Sequence, residues 1–178
     1  SKVQFDSLRC LKTKFMAYEK LLRDNPSYLP RVCFVQVVTG STKRDEYLEK
    51  DLVGLVDRIN NLSTDITMHQ NIVLLTQDLT ETQYYALLSE ADIFWVNSMR
   101  ESVNLTCNDF IVANSDKNSP LMISEFTGSA ELFKEGCLLT HPWDIKRSSE
   151  IVKFALEMSP EEKRRRWKKM MKKLIIND

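Results

Sequence analysis

The residues best suited to chemistry lie between Met99 and Asp109. Met99-Arg100-Glu101-Ser102-Val103-Asn104-Leu105-Thr106 leaves an apolar run and enters a helical pattern opened by asparagine. At such a junction the unpaired N–H groups and the positive end of the helix dipole can hold a diphosphate. Asp109, about one helical turn on, offers a carboxylate for ribose hydroxyls, and Arg9, at the opening of the first helical segment, offers a cation for phosphate oxygens. Each has a plainer reading alone, as a helix-surface aspartate and a solvated loop arginine. Their joint placement after apolar runs favours a pocket. Glu125 and Asp144 precede helical patterns, where capping or dipole stabilisation is the plainer role. No carboxylate pair or histidine cluster has metal-ligand spacing.

The elements that position these residues follow from hydrophobic period. Val3 to Phe5, Val32 to Val38, Ile72 to Leu75, Ile93 to Val96, Leu121 to Ile123 and Cys137 to Leu139 are short apolar runs that predict buried strands. Leu11, Phe15, Tyr18 and Leu22, and then Leu48, Leu52, Leu55, Val56 and Ile59, form one-sided helical stripes. Thr80 with Gln83 is a capping-box pattern opening a helix to about Ser89, and Asn104 to Ala113 and Asp144 to Met158 are further helices. Strand and helix alternate throughout. The expectation is one α/β domain over residues 1–178, a Rossmann-like parallel sheet with helices on both faces and ligands beyond the carboxyl ends of the strands. Residues 159–178 read as a terminal amphipathic basic helix. Ser159 caps it, Pro160 takes its first turn, and Trp167, Met170, Met171, Leu174 and Ile175 share one side.

Composition limits the partners. The chain has 178 residues, 43% of them hydrophobic, enough for one core of ordinary size. Its 25 basic and 25 acidic side chains cancel, so no global field draws it to nucleic acid or an anionic membrane. Eight basic residues crowd the last helix without the aromatic interleaving of a nucleic-acid surface, which favours docking on the fold. Cys10, Cys33, Cys107 and Cys137 lack metal or redox spacing and predict reduced, buried thiols in a cytoplasmic protein. The opening Ser1-Lys2-Val3-Gln4 has no signal-peptide pattern and predicts a piece of a longer chain. The triplets at Asn61 and Asn104 are discounted as glycosylation sites.

The order of segments resembles the trehalose-6-phosphate synthase family over nearly the whole chain. Phe5-Asp6-Ser7-Leu8-Arg9, Tyr18-Glu19-Lys20-Leu21-Leu22, Arg100-Glu101-Ser102-Val103-Asn104-Leu105, Ser124-Glu125-Phe126-Thr127-Gly128-Ser129-Ala130 and Pro142-Trp143-Asp144-Ile145 carry it. The resemblance implies the carboxyl-terminal, sugar-nucleotide-binding half of a GT-B glycosyltransferase, without a metal or other cofactor. UDP-glucose is then the donor, and an amino-terminal half of the parent chain supplies most of the glucose-6-phosphate site. The histidine that matters in that family lies in the other half, and His141 stands where asparagine is usual, so neither His69 nor His141 is a catalytic candidate. Asn104-Leu105-Thr106-Cys107, the opening of the last helix and the Ser124 to Ala130 run are similar to noncatalytic regulatory subunits of fungal trehalose synthase complexes.

The departures bear on function. Where the family has arginine, lysine and glycine in its first loop, this chain has Gln4, Arg9 and Cys10. One cation is lost, another changes shape, and close backbone approach is lost with the glycine. The family's Arg-Asp-Gly-Met-Asn-Leu is here Arg100-Glu101-Ser102-Val103-Asn104-Leu105; the sugar-facing aspartate is lengthened, and a positive-φ glycine replaced by Ser102 would add strain of about 1 kcal/mol. The ribose glutamate is shortened to Asp109. Each lost charged hydrogen bond costs about 1.5–3 kcal/mol, so the sum predicts weak or absent UDP-glucose binding at a vestigial site of Gln4, Arg9, Glu101, Asn104, Leu105 and Asp109. The expected function is a regulatory or scaffolding pseudoenzyme domain partnered by catalytic synthase and phosphatase subunits. The alternatives are a working UDP-forming synthase and a noncatalytic nucleotide-sugar sensor.

Overall fold

The computed structural model describes residues 2–3, 8–38, 46–63, 70–99 and 101–177, with the backbone alone at 2, 3, 8, 9, 46–49 and 177. The chain forms two compact units, Ser1–Asp78 and Leu79–Asp178. In the first, β1 (Lys2–Val3), α1 (Leu8–Asp24), β2 (Phe34–Val38), α2 (Glu46–Asn60) and β3 (Ile72–Leu75) alternate. The strands pair in parallel in the order β1-β2-β3, with Lys2 opposite Val37 and Phe34 opposite Ile72. The α1 stripe lands as its period demands: Leu11, Phe15, Tyr18 and Leu22 are all buried. The rings of Phe15 and Tyr18 meet Phe34 at 5.7 and 5.2 Å, edge-on and tilted, which ties α1 to β2. Leu52, Leu55 and Ile59 bury the matching stripe of α2. Glu19 joins the two helices. Burial pushes its carboxyl up, but hydrogen bonds from Arg58 at 2.6 Å and Arg23 at 2.8 Å outweigh this and hold it below the usual range.

The second unit contains α3 (Glu81–Glu90), β4 (Phe94–Val96), α4 (Leu105–Ala113), β5 (Leu121–Ser124), α5 (Gly128–Phe133), β6 (Leu138–Thr140), α6 (Ile145–Leu156) and α7 (Pro160–Asn177). Its strands are also all parallel, in the order β4-β5-β6, with Phe94 opposite Leu121 and Met122 opposite Leu138. The predicted caps form: Thr80 and Gln83 make both bonds of the capping box, Asp144 accepts from the Arg147 N–H at 2.8 Å, and Ser159 accepts from the Glu162 N–H at 3.3 Å. Phe94 and Phe110 stack at 4.9 Å among buried Cys107, Ile111, Ile123 and Phe133. Asn114 fastens α3 beside α4 by donating to the carbonyls of Leu88, Ser89 and Ala91 at 2.9–3.0 Å. The short helix α5 follows Glu125, where the sequence predicts a helical pattern, and opens at Gly128.

Helix α7 docks on α4 and α5, as expected of an amphipathic helix. Met170 and Leu174 are buried, Trp167 and Met171 are partly so, and the Trp167 indole N–H donates to the Ile111 carbonyl at 2.8 Å. Ile175 departs from the stripe: it is 66% exposed, as is Ile176. The close seat of α7 depends on Gly136, where a Cβ would come within 2.5 Å of Met170 Cγ and 2.6 Å of the Arg166 carbonyl oxygen. Gly136→Ala is therefore expected to lift α7 and destabilise this unit by about 1–3 kcal/mol, read as a lower urea midpoint with unchanged slope. Cys10, Cys107 and Cys137 are buried, but Cys33 is exposed, against expectation, because β2 starts one residue after it. No described helix is long and apolar enough to cross a membrane.

Candidate functional site

The loop from β4 to α4 crosses the carboxyl end of its sheet, and the loop from β5 to α5 holds it there. Glu101 bridges Thr127 in parallel fashion, and the Gly128 N–H donates to the carbonyls of Glu101 at 3.0 Å and Ser102 at 2.7 Å. A Cβ at residue 128 would sit 2.8 Å from the Ser102 carbonyl oxygen, so glycine is what permits this contact. Asn104 caps α4: its Oδ1 accepts the Thr106 N–H at 2.9 Å, and the Thr106 hydroxyl donates to the same oxygen. Its own N–H donates to Ser129 Oγ at 2.8 Å. Its Nδ2 donates to Glu101 Oε2 at 3.0 Å, and the Ser98 hydroxyl donates to that oxygen at 2.7 Å. The polar groups at this helix opening are bonded chiefly to one another.

The structure thus brings Glu101 and Asn104 together. Leu105 stands 69% exposed at the first turn, beside Val103 at 52%. Asp109 lies further along α4 and accepts the Tyr84 hydroxyl of α3 at 3.0 Å. Burial first, and then this carboxylate, pushes the Tyr84 hydroxyl well above its ordinary range, so it stays a protonated donor. Burial also pushes the thiol of Cys107, a core residue of α4, up to about 12, which leaves it unreactive. Gln4 and Arg100 fall outside the described residues, as does His69, and of Arg9 only the backbone is described, in the first turn of α1. Two expectations change. Among the described residues only Asn118, at φ 55°, is a non-glycine with positive φ, so Ser102 carries no left-handed strain. Glu125 does not cap α5; its carboxylate lies 3.7 Å from His141 Nε2, and Thr127 takes the cap position.

His141 packs edge-on against Phe126 at 5.2 Å, and its Nδ1 accepts the Trp143 N–H at 3.3 Å, a role in shaping the turn into α6. Among the described residues no three His, Cys, Asp or Glu side chains converge as a metal site. Ser98, Ser129 and Tyr84 are the pocket residues that sequence reasoning missed. Ser98 lies three residues from Glu101, within reach of a local pattern. Ser129 and Tyr84 each bond across 25 residues, which only the fold reveals.

A strand–loop–helix pocket of this kind serves many folds, so kinship has to be decided on the whole chain. The sequence matches the model of glycosyltransferase family 20 over residues 1–178. The chain belongs to glycosyltransferase family 20. It is 50% identical over 175 residues to the trehalose synthase complex regulatory subunit TPS3 of Saccharomyces cerevisiae, covering 98% of this chain and 16% of that protein. It is 49% identical over 175 residues to the regulatory subunit TSL1 of the same yeast, with the same coverage. A crystal structure of a UDP-forming alpha,alpha-trehalose-phosphate synthase from Burkholderia xenovorans aligns with a TM-score of 0.90 at 26% identity, over 100% of this chain and 40% of that one. The fold is accordingly the Rossmann-like carboxyl-terminal half of a GT-B glycosyltransferase. The chain spans about one-sixth of the length of the yeast regulatory subunits it matches.

Proposed function

We propose that this chain is the sugar-nucleotide half of a synthase-like region in a regulatory subunit of a trehalose synthase complex. Its parent chain would hold catalytic synthase and phosphatase subunits together and transfer no glucose itself. The observation that carries this reading is the identity of 50% and 49% to two proteins named as regulatory subunits. The pocket supports it physically. Glu101 and Asn104 satisfy each other, Leu105 is exposed, and Asp109 is engaged by Tyr84. A donor nucleotide would have to displace these bonds, each to a charged group worth about 1.5–3 kcal/mol, before gaining its own.

Titration calorimetry of the full-length protein with UDP and UDP-glucose tests the pocket, and co-purification with an active synthase tests the assembly. No saturable heat, beside a normally binding active synthase, is expected together with co-purification. Micromolar binding with glucose transfer would overturn the reading. A working transferase is the second reading, favoured by 37% identity over 165 residues to a putative UDP-forming synthase subunit of 100 kDa from Schizosaccharomyces pombe. Transfer activity in the full-length protein, abolished by Asn104→Ala with Asp109→Ala, would establish it.

A further inference from the structure

We propose that Glu101 is the resident ligand of the α4 opening, so that the pocket is closed by the chain's own hydrogen bonds. This rests on the noncatalytic reading above and gives it a physical form. An oxygen-rich ligand arriving beyond the carboxyl end of β4 would need the Ser98 hydroxyl, the Asn104 amide and the N–H groups of the first turn. The Ser98 hydroxyl, the Asn104 amide and the Thr106 and Cys107 N–H groups already have acceptors. Ser98 and Asn104 both donate to Glu101 Oε2, at 2.7 and 3.0 Å. The Asn104 N–H goes to Ser129 and the Thr106 N–H to Asn104 Oδ1. The Glu101 backbone is fixed in turn, since its carbonyl accepts the Gly128 N–H at 3.0 Å and the residue bridges Thr127. A carboxylate held this way near a helix N-terminus gains from the dipole and from both donors, and it repels an incoming phosphate. Further along the helix, Asp109 is claimed by Tyr84 at 3.0 Å.

The consequence has a definite sign. In a pocket kept for an outside ligand, polar groups are underused until it arrives, and replacing them leaves the fold as stable or more so. In a self-occupied pocket, replacing them loosens the fold. Amide exchange by mass spectrometry on the full-length protein reads this locally, in peptides spanning residues 101–113. Glu101→Ala is expected to speed exchange there about tenfold, because a hydrogen bond to a charged group is lost from a local opening equilibrium. Peptides over 121–124 should keep their rates, which shows that the unit remains folded, and Val103→Ala in the same exposed loop should change nothing. Millimolar UDP, used as the probe, should leave the wild-type segment unprotected. Unchanged or slower exchange in Glu101→Ala overturns the self-occupied pocket and leaves the regulatory reading standing. Protection of the wild-type segment by UDP overturns it as well and reopens catalysis. Failure to co-purify with an active synthase sinks the regulatory reading alone.

Discussion

The first unit is expected to gain about 2 kcal/mol of stability between pH 7 and pH 9 from one side chain, and Lys14→Met should abolish that gain. Lys14 is 1% exposed, on the face of α1 that packs against β2. Its Nζ lies 3.4 Å from Gln36 Oε1 and 5.3 Å from the Phe34 ring centroid. Burial strips the ammonium of water, and this outweighs the raising influence of Cys10 and lowers its pKa from 10.5 to about 7. Between those two values the unfolded chain holds one proton more than the folded unit, so stability rises with pH. Below pH 7 both states hold the proton and the cost of burying it is felt in full; above 10.5 neither does. Methionine keeps the length and loses the charge, so its profile should be flatter by the amount Lys14 contributes. Amide exchange of α1 peptides at pH 7 and pH 9, corrected for intrinsic rate, measures the difference. Parallel profiles for the two proteins would mean that Lys14 does not titrate in this range.

How much of this was legible depended on how local each cause is. The α1 stripe, the Thr80–Gln83 box and the caps at Asp144 and Ser159 were legible because period and capping act within one or two turns. Helix α5 was legible only as a pattern following Glu125; its start was not, because it opens on glycine and receives no side-chain cap hydrogen bond. Ile175 fits the α7 stripe but stays exposed, because spacing tells which residues share a side and not how far the covering surface extends. Cys33 failed for a related reason, one residue outside a strand whose apolar run looked longer. At the pocket, Asn104 at the opening of α4 and Asp109 on that helix were legible, while their present partners were not foreseen. The departure at Ser102 turned out to matter less than expected, since its backbone carries no positive φ. The lengthened Glu101 matters more: its carboxylate reaches both Ser98 and Asn104.

Helix α4 has to be held rigidly for that network to exist, and Phe110 is the residue that holds it. Its ring is 1% exposed and stacks on Phe94 at 4.9 Å, which fastens the helix to β4. Phe110→Ala should cost about 3–5 kcal/mol, the sum of lost transfer energy and the cavity left among residues that cannot fully close it. The three tryptophans, Trp95, Trp143 and Trp167, all lie in the second unit, so their fluorescence in urea follows its unfolding without interference from the first. A midpoint lower by about 2 M is expected, and Phe110→Leu, which refills most of the volume, should recover more than half of the loss. Because α4 also receives the Trp167 indole through the Ile111 carbonyl, α7 should loosen with it, and Trp167 fluorescence should shift before the global transition. If Phe110→Ala unfolds at the wild-type midpoint, the pocket is held by its own hydrogen bonds rather than by the aromatic stack beneath it.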